Sequence, residues 1–340
     1  MKTAAITAIE YYLPTRTLSN QDLMREFPDW SVEKIAEKTG IDVRHVAAED
    51  ECSSDLAAAA AERLFEAGVD RTAVDYVLFC TQSPDYFLPT TACVLQTRLG
   101  IPTSAGALDF NLGCSGFVYG LGLAKGLVET GQASKVLLLT GETYSKMLAP
   151  DDRSVRTIFG DGASATLVEE VDTAAGSPPP IGPFVYGTDG SGAGNLIVRR
   201  GAFRHPPGRL EGRDPDATVT AKPTLFMDGG EIFTFTLSAV PKAVELLLRR
   251  AGMGADQVDL FVFHQANRHM LDFLRKKSRI PPEKFLVCLS DCGNTVSATI
   301  PIALKEAQRE GRLRPGAVLA LVGFGVGYSW AAALCRWTGR

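Results

Sequence analysis

The sequence predicts an α/β fold built from two similar halves. Helical segments alternate with short strands rich in valine and leucine, which is typical of a buried sheet covered by helices. Residues 74–80 resemble residues 258–264, which lie 184 positions later, and residues 136–141 resemble residues 318–323, which lie 182 positions later. Two matches in the same order and at nearly the same spacing indicate an internal duplication.

The hydrophobic pattern predicts three helices in each half and a largely parallel sheet between them. Residues 1–13 alternate as a strand does, and an apolar run at 285–289 predicts another strand. The predicted helices cover 54–67, 90–99 and 116–130 in the first half, and 228–250, 266–278 and 296–308 in the second.

These elements divide the chain into an N-terminal half, 1–172, and a C-terminal half, 223–340. The segment between them, 173–222, is a connecting excursion. Within it, residues 187–222 are rich in glycine, proline and arginine and show little periodicity, so we expect a surface excursion or a lid.

Composition excludes several classes of protein. The 340 residues are 45% hydrophobic and carry a net charge of −4, so no basic field predicts binding to nucleic acid. The apolar runs are too short to cross a bilayer, and the first residues lack the pattern of a signal peptide, so we expect a cytoplasmic protein without a membrane partner. The seven cysteines form no C-x-x-C pair and the four histidines are scattered, which favours reduced thiols and no metal site.

One cysteine stands where chemistry is expected. Cys114 lies in a turn flanked by Gly113 and Gly116, between a predicted strand and a helix. Amide groups at a helix N-terminus favour negative charge, so the turn predicts a lowered thiol pKa and a place for an oxyanion. The turn alone does not distinguish a nucleophile from a packed structural cysteine.

Three further motifs follow predicted strands. They are His264 with Gln265 and Asn267, the Gly293-Asn294-Thr295 turn, and a run of alternating glycines at 323–327. The ends of strands are where open α/β sheets gather their sites. Taken singly, each motif also fits a structural histidine, a simple turn or a tight hairpin.

Together these motifs resemble the β-ketoacyl-acyl-carrier-protein synthase III family of the thiolase-fold superfamily. The likeness runs nearly end to end and includes the Gly-Cys-Ser-Gly-Phe elbow at 113–117 and residues 158–163. It implies a duplicated thiolase-like fold in α-β-α-β-α layers, a homodimer, and a catalytic triad of Cys114, His264 and Asn294. An oxyanion hole would be formed by the N–H groups of Cys114 and Val326.

The resemblance also implies the reaction. An acyl primer, carried by coenzyme A or an acyl carrier protein, acylates Cys114, and a malonyl-carrier thioester then loses carbon dioxide and condenses with it to a β-ketoacyl thioester. The coenzyme A and phosphopantetheine thioesters are substrates, and no resident cofactor is expected. Substrate contacts are expected from Lys38, Leu88, Arg153, Asn267, Arg268, Phe324 and Gly325.

The entrance departs from the family pattern. Lys34 stands where the family's tryptophan stacks on adenine, and Lys38 replaces an arginine, although Arg153 is retained. His269 replaces an arginine associated with carrier docking, and Leu88 replaces a phenylalanine that caps the partner's acyl pocket. We therefore expect coenzyme A to be held differently and the primer to differ from acetyl.

Other functions remain open at this point. One alternative is acyl transfer to an alcohol or amine in secondary metabolism, for which Asn294 is less necessary. A hydroxymethylglutaryl-type synthase would need a carboxylate base near the thiol, and Glu142 is the candidate. A non-catalytic partner subunit is the third alternative, and Cys114 argues against it.

Overall fold

The computed structural model describes residues 2–206 and 223–339. Its strands are β1 (Lys2–Tyr12), β2 (Thr17–Ser19), β3 (Val43–His45), β4 (Tyr76–Cys80), β5 (Gly106–Phe110), β6 (Lys135–Glu142), β7 (Gly162–Asp172), β8 (Ile181–Thr188), β9 (Leu196–Val198), β10 (Leu225–Met227), β11 (Leu260–Phe263), β12 (Val318–Gly325) and β13 (Ser329–Arg336). Its α-helices are α1 (Asn20–Glu26), α2 (Val32–Thr39), α3 (Ser53–Glu66), α4 (Thr91–Arg98), α5 (Gly116–Glu129), α6 (Arg153–Arg156), α7 (Gly229–Ala251), α8 (Arg268–Lys277) and α9 (Thr299–Arg309).

The two main sheets repeat one arrangement. In the first sheet the strand order is β1-β7-β6-β4-β5, and in the second it is β8-β13-β12-β11. Beyond β11, an isolated parallel bridge between Phe261 and Phe285 lies where β5 lies in the first sheet. The repeat of strand order and of intervening helices confirms the predicted duplication.

Side-chain alternation along the strands builds five layers. Val77 and Phe79 pack outward against α3 and α4, whereas Leu78 packs inward with residues of α5. In the second sheet Phe261 faces α7 and α8, and Val262 faces the same interior as α9. The central helices α5 and α9 therefore lie between the sheets, which confirms the α-β-α-β-α prediction.

The six predicted helices agree with the structure to within three residues at each end. The largest shift is at α9, because Val296–Ala298 form a 3-10 turn before it. The 23-residue helix α7 contains Pro241 without a break in its assignment.

Two predictions about strands were wrong. The sheets are mixed, because β7 and β13 run antiparallel to both of their neighbours. Residues 285–289 form no strand apart from the bridge at Phe285, since the Gln265 side chain takes the place of a ladder partner: it donates to the Leu286 carbonyl and accepts from the Cys288 N–H. Apolar composition alone does not distinguish a buried loop from a strand.

The connecting segment 173–222 contributes to the second half. Its strand β8 pairs with β13, and its strand β9 pairs with β10. Of the expected excursion 187–222, residues 207–222 lie outside the described residues. The domain boundaries at 172 and 222 stay predictions.

Candidate active site

The turn before α5 brings the Cys114 thiol against the end of β12. A Cβ placed on Gly325 would lie 2.9 Å from both Cβ and Sγ of Cys114, and one on Gly323 would lie 2.8 Å from the Cys114 carbonyl oxygen. Only glycine permits this approach of two backbones. The alternating glycines thus form both a tight hairpin, β12 to β13, and a wall of the thiol site.

Amide groups of this turn face the sulfur. The backbone N–H groups of Val326 and of Cys114 itself lie near Sγ and act to lower the pKa of the thiol. Val326 is held by Ser329, whose hydroxyl donates to the Val326 carbonyl at 2.9 Å and lies 2.6 Å from the Ser115 hydroxyl. Two buried serines therefore tie the hairpin to the helix that carries the thiol.

The expectation of a lowered thiol pKa is wrong for the free protein. Burial raises the pKa of Cys114 to about 12, and the nearby Glu142 carboxylate raises it further, while the two N–H groups act in the opposite direction. Desolvation outweighs the amide dipoles because the thiol is almost fully buried. A thiolate at neutral pH therefore requires a proton acceptor beside it.

His264 follows β11 and lies in the same buried region. Its ring packs edge-to-face on Phe324, with 5.5 Å between ring centroids, and its Nδ1 lies 2.7 Å from the Thr299 hydroxyl. Burial lowers the pKa of His264 to about 3, and a hydrogen bond with the Val296 backbone opposes that shift. The ring is neutral at pH 7.

Asn294 is fixed by hydrogen bonds at both backbone ends and at its side chain. Its N–H donates to the Ile158 carbonyl at 3.0 Å, and its carbonyl accepts from Gly160 N–H at 3.0 Å. Its Oδ1 accepts from the Val296 N–H at 2.9 Å, which leaves the amide Nδ2 as a donor.

Two short stretches of chain link the three predicted catalytic residues. Residues 324–326 contact His264 through Phe324 and Cys114 through Gly325. The turn at 294–299 carries Asn294 and, through Thr299, holds His264. The structure thus brings together residues separated by 150 and 30 positions in the sequence.

The carboxylate of Glu142, the candidate base of a hydroxymethylglutaryl-type reaction, is engaged in hydrogen bonds. It is fully buried at the end of β6, where it accepts hydrogen bonds from the Gln82 N–H and from the hydroxyls of Ser83 and Ser297. Burial raises its pKa to about 8. Because Ser297 belongs to the second half, Glu142 joins the two halves beside the thiol, and its engaged oxygens argue against a hydroxymethylglutaryl-type reaction.

The entrance contains an aromatic side chain that sequence reasoning missed. The ring of Trp30 is surrounded by the ammonium groups of Lys38 and Lys34, at 5.0 and 5.1 Å, and by the Arg153 guanidinium at 5.5 Å. Trp30 lies four residues before Lys34, just ahead of the N-cap of α2, and the sequence pattern at Lys34 does not point to it. Such distances are those of cation–π contacts.

The other predicted substrate-contact residues differ in burial and in the contacts they make. Asn267 caps α8 through its Oδ1, which accepts from the Met270 N–H at 2.9 Å. Arg268 packs on Gly40, at the end of α2, and Leu88 is 81% exposed in the loop after β4. Among the described residues no group of acidic, histidine or cysteine side chains is arranged to hold a metal ion.

Comparison with known proteins agrees with this geometry. Residues 108–190 match the 3-oxoacyl-[acyl-carrier-protein] synthase III model, and residues 248–337 match the model of its C-terminal part. The chain is 38% identical over 338 residues to β-ketoacyl-[acyl-carrier-protein] synthase III 2 of Halalkalibacterium halodurans, covering 98% of this chain and 97% of that protein. It is 35% identical to the synthase III of Caldanaerobacter subterraneus subsp. tengcongensis, covering 98% of each.

The chain belongs to the 3-oxoacyl-[acyl-carrier-protein] synthase III family. A crystal structure of a synthase III with 55% sequence identity superposes with a TM-score of 0.93, covering 98% of this chain and all of that one. Membership confirms the predictions of a thiolase-like fold and of an acyltransferase of the condensing type. None of the described helices is both long and apolar enough to span a bilayer.

Proposed function

We propose that the chain makes a β-ketoacyl thioester in two stages on Cys114. The observation that carries this proposal is the thiol itself, which faces two backbone N–H groups and shares one buried site with a neutral histidine and an asparagine amide. N–H groups around a reacting carbon are the arrangement that stabilises an oxyanion.

In the first stage Cys114 attacks the primer's carbonyl carbon. The thiol proton passes to Nε2 of His264 as the sulfur attacks, so no free thiolate has to form at a thiol whose pKa is raised. The Cys114 and Val326 N–H groups hold the oxyanion of the tetrahedral intermediate. Its collapse breaks the bond to the departing thiol, which leaves as a thiolate and takes a proton from water.

In the second stage a malonyl thioester loses carbon dioxide. The electrons of the broken bond form an enolate, whose oxygen accepts from the Nε2–H of His264 and the Nδ2–H of Asn294. The enolate carbon attacks the acyl-cysteine, and the Cys114 thiolate that is released recovers its proton from Nε2. No strong carboxylate base is needed, because carbon dioxide leaves in place of a proton.

We propose that coenzyme A delivers the primer over Trp30. A flat indole can stack on adenine, and the adjacent cations Lys34, Lys38 and Arg153 suit its phosphates. The cluster supports a coenzyme A site whose aromatic residue lies four residues before the position that the family pattern indicates.

An acidic carrier protein is the proposed donor of the malonyl group. Helix α8 begins with Arg268 and ends with Arg275, Lys276 and Lys277, although the whole chain is acidic. Arg268 packs on the C-terminal end of α2, which also bears Lys38. We expect Arg268→Glu to raise KM for a malonyl carrier but not for malonyl-coenzyme A, whereas equal effects on both would contradict carrier docking.

The cytoplasm is the proposed compartment, in keeping with seven free cysteines. A homodimer is the proposed assembly. The loop after β4 exposes Tyr86, Phe87 and Leu88 by 61, 72 and 81%, and Leu108 on the edge strand β5 is 45% exposed. Apolar exposure next to an open sheet edge is typical of an interface. Sedimentation should give a dimer, and replacing Leu88 and Phe87 by serine should weaken it.

Intact mass spectrometry tests the reaction. The protein is mixed with a panel of acyl-coenzyme A primers, and a malonyl carrier is then added. We expect one acyl adduct, which disappears with release of carbon dioxide, and we expect no adduct on Cys114→Ala, whereas Cys93→Ala serves as an exposed-thiol control. An adduct on Cys114→Ala would refute the site, and discharge of the adduct onto an alcohol without use of malonyl groups would favour the alternative acyl transfer.

A further inference from the structure

The backbone of Val296 is strained at the site. Its φ is 56°, in the left-handed region, and its side chain is completely buried. For a β-branched residue this conformation is a genuine outlier and is energetically unfavourable. Strain of this kind persists where surrounding contacts require the unusual backbone direction.

Both peptide groups that flank the Val296 Cα lead to a predicted catalytic side chain. The N–H donates to Oδ1 of Asn294 at 2.9 Å, and the carbonyl accepts from the Thr299 hydroxyl at 3.0 Å. The Thr299 oxygen lies 2.7 Å from Nδ1 of His264. One strained residue thus connects to the asparagine directly, and to the histidine both by its own backbone and through the Thr299 hydroxyl.

The direction of these hydrogen bonds follows from the donors available. A carbonyl oxygen only accepts, so the Thr299 hydroxyl must donate its one proton to Val296. Its lone pair is then left to accept from Nδ1–H of His264. A neutral ring with its proton on Nδ1 has an unprotonated Nε2.

We propose that Val296 and Thr299 are positioning residues that set the His264 tautomer and orient the Asn294 amide. With Nε2 unprotonated, the ring can accept the Cys114 proton. Once protonated on both nitrogens, it still donates from Nδ1 to Thr299, and the chain of hydrogen bonds ends on a carbonyl that favours the positive charge. The Val296 N–H occupies Oδ1 of Asn294 and so directs its Nδ2 toward the thioester oxygen. This inference rests on the proposed function.

Thr299→Val tests the hydroxyl with nearly unchanged shape. We expect the rate of Cys114 acylation and the rate of condensation each to fall about 10- to 100-fold, as is usual when a residue that orients a reactive group is lost. KM for the malonyl thioester should stay unchanged. Thr299→Ser, which restores the hydroxyl, should recover most of the rate.

Thr295→Val is the matched control. Thr295 lies in the same turn and is equally buried, but its hydroxyl has no hydrogen-bond partner within the part of the chain that the structure describes. Its replacement should leave both rates within about threefold of those of the wild-type protein. Equal losses in the Thr295 and Thr299 variants, or full activity of Thr299→Val, would overturn the proposal.

A measurement on the unaltered protein removes any dependence on how the variants fold. In protein labelled with ¹⁵N-histidine, the His264 resonances at pH 7 should show a protonated Nδ1 and an unprotonated Nε2. The opposite tautomer would refute the inference. If the wild-type protein forms no acyl adduct at all, the proposed function fails instead, whatever the tautomer.

Discussion

The two central helices of this fold begin at the same site but contribute different chemistry. Helix α5 follows a glycine-flanked turn that holds Cys114, and helix α9 starts at the last residue of the turn 294–299. In the first case backbone N–H groups face the reactive sulfur. In the second, the backbone of Val296 hydrogen-bonds to the side chain of Asn294 and, through the Thr299 hydroxyl, is linked to His264.

The difference shows how a duplicated fold acquires an asymmetric site. Both turns bring polar backbone groups to the interface between the sheets, where water is excluded. The first half uses these groups on the reacting atom, and the second half uses them to orient donors. The first two predictions below each remove one of these contributions and so test whether the two turns act separately. The other two concern delivery of the primer and the charge beside the thiol.

The largest effect is expected from Asn294→Ala in the second turn. Loss of one donor to a developing oxyanion typically costs about 10²–10³ in rate. Condensation should fall by that factor, whereas acylation of Cys114 should stay within a few-fold of wild type. Stopped-flow acylation and carbon dioxide release measure the two stages separately. If both fall together, the division of labour between the turns is wrong.

Gly325→Ala should distort the arrangement of the Cys114 thiol and the backbone N–H groups at the first turn. The new methyl group would lie 2.9 Å from Sγ, so the thiol and the Val326 N–H must separate. A misplacement of about 1 Å commonly costs about 10²-fold, and here acylation should be lost first. The control is Gly194→Ala, where the added methyl meets nothing within 4 Å. Normal acylation by Gly325→Ala would show that the close approach is unimportant.

Trp30→Ala concerns delivery of the primer. Stacking of a base on an aromatic ring contributes about 1–3 kcal/mol, so KM for acyl-coenzyme A should rise about tenfold while kcat stays constant. An acyl-pantetheine primer lacks adenine, and its KM should be unaffected. Equal changes in KM for both primers would assign Trp30 a purely structural role.

Glu142→Gln should have the smallest effect, which is on pH dependence. With a thiol pKa near 12, alkylation of Cys114 should rise with pH throughout pH 7–10. In the wild type the slope of this rise should flatten around pH 8, because Glu142 ionises there and its negative charge raises the pKa of the thiol. The variant should lack the flattening, and the exposed Glu66→Gln should keep it. Identical profiles for all three proteins would exclude the influence of Glu142.

Much of the fold and the candidate site was predictable from sequence alone. Turns at the ends of predicted strands marked Cys114, His264 and Asn294, because turn chemistry and strand periodicity are local properties, and the family resemblance of these motifs assigned the three residues to one triad. The repeated strand pattern predicted the duplication, and the family resemblance implied the α-β-α-β-α layers. The strand predicted at 285–289 was wrong, since the backbone of this segment bonds to the side chain of Gln265, which lies 20 residues earlier.

Only the tertiary structure decided the state of the site. Burial reversed the expected direction of the Cys114 pKa, because desolvation depends on everything packed around the sulfur. Trp30 and Arg153 are in contact although 123 positions separate them in the sequence, and Thr299 lies within hydrogen-bond distance of His264 although 35 positions separate them. The sequence determined which groups are available for the chemistry, whereas packing determined their protonation and orientation, since both depend on neighbours that are distant along the chain.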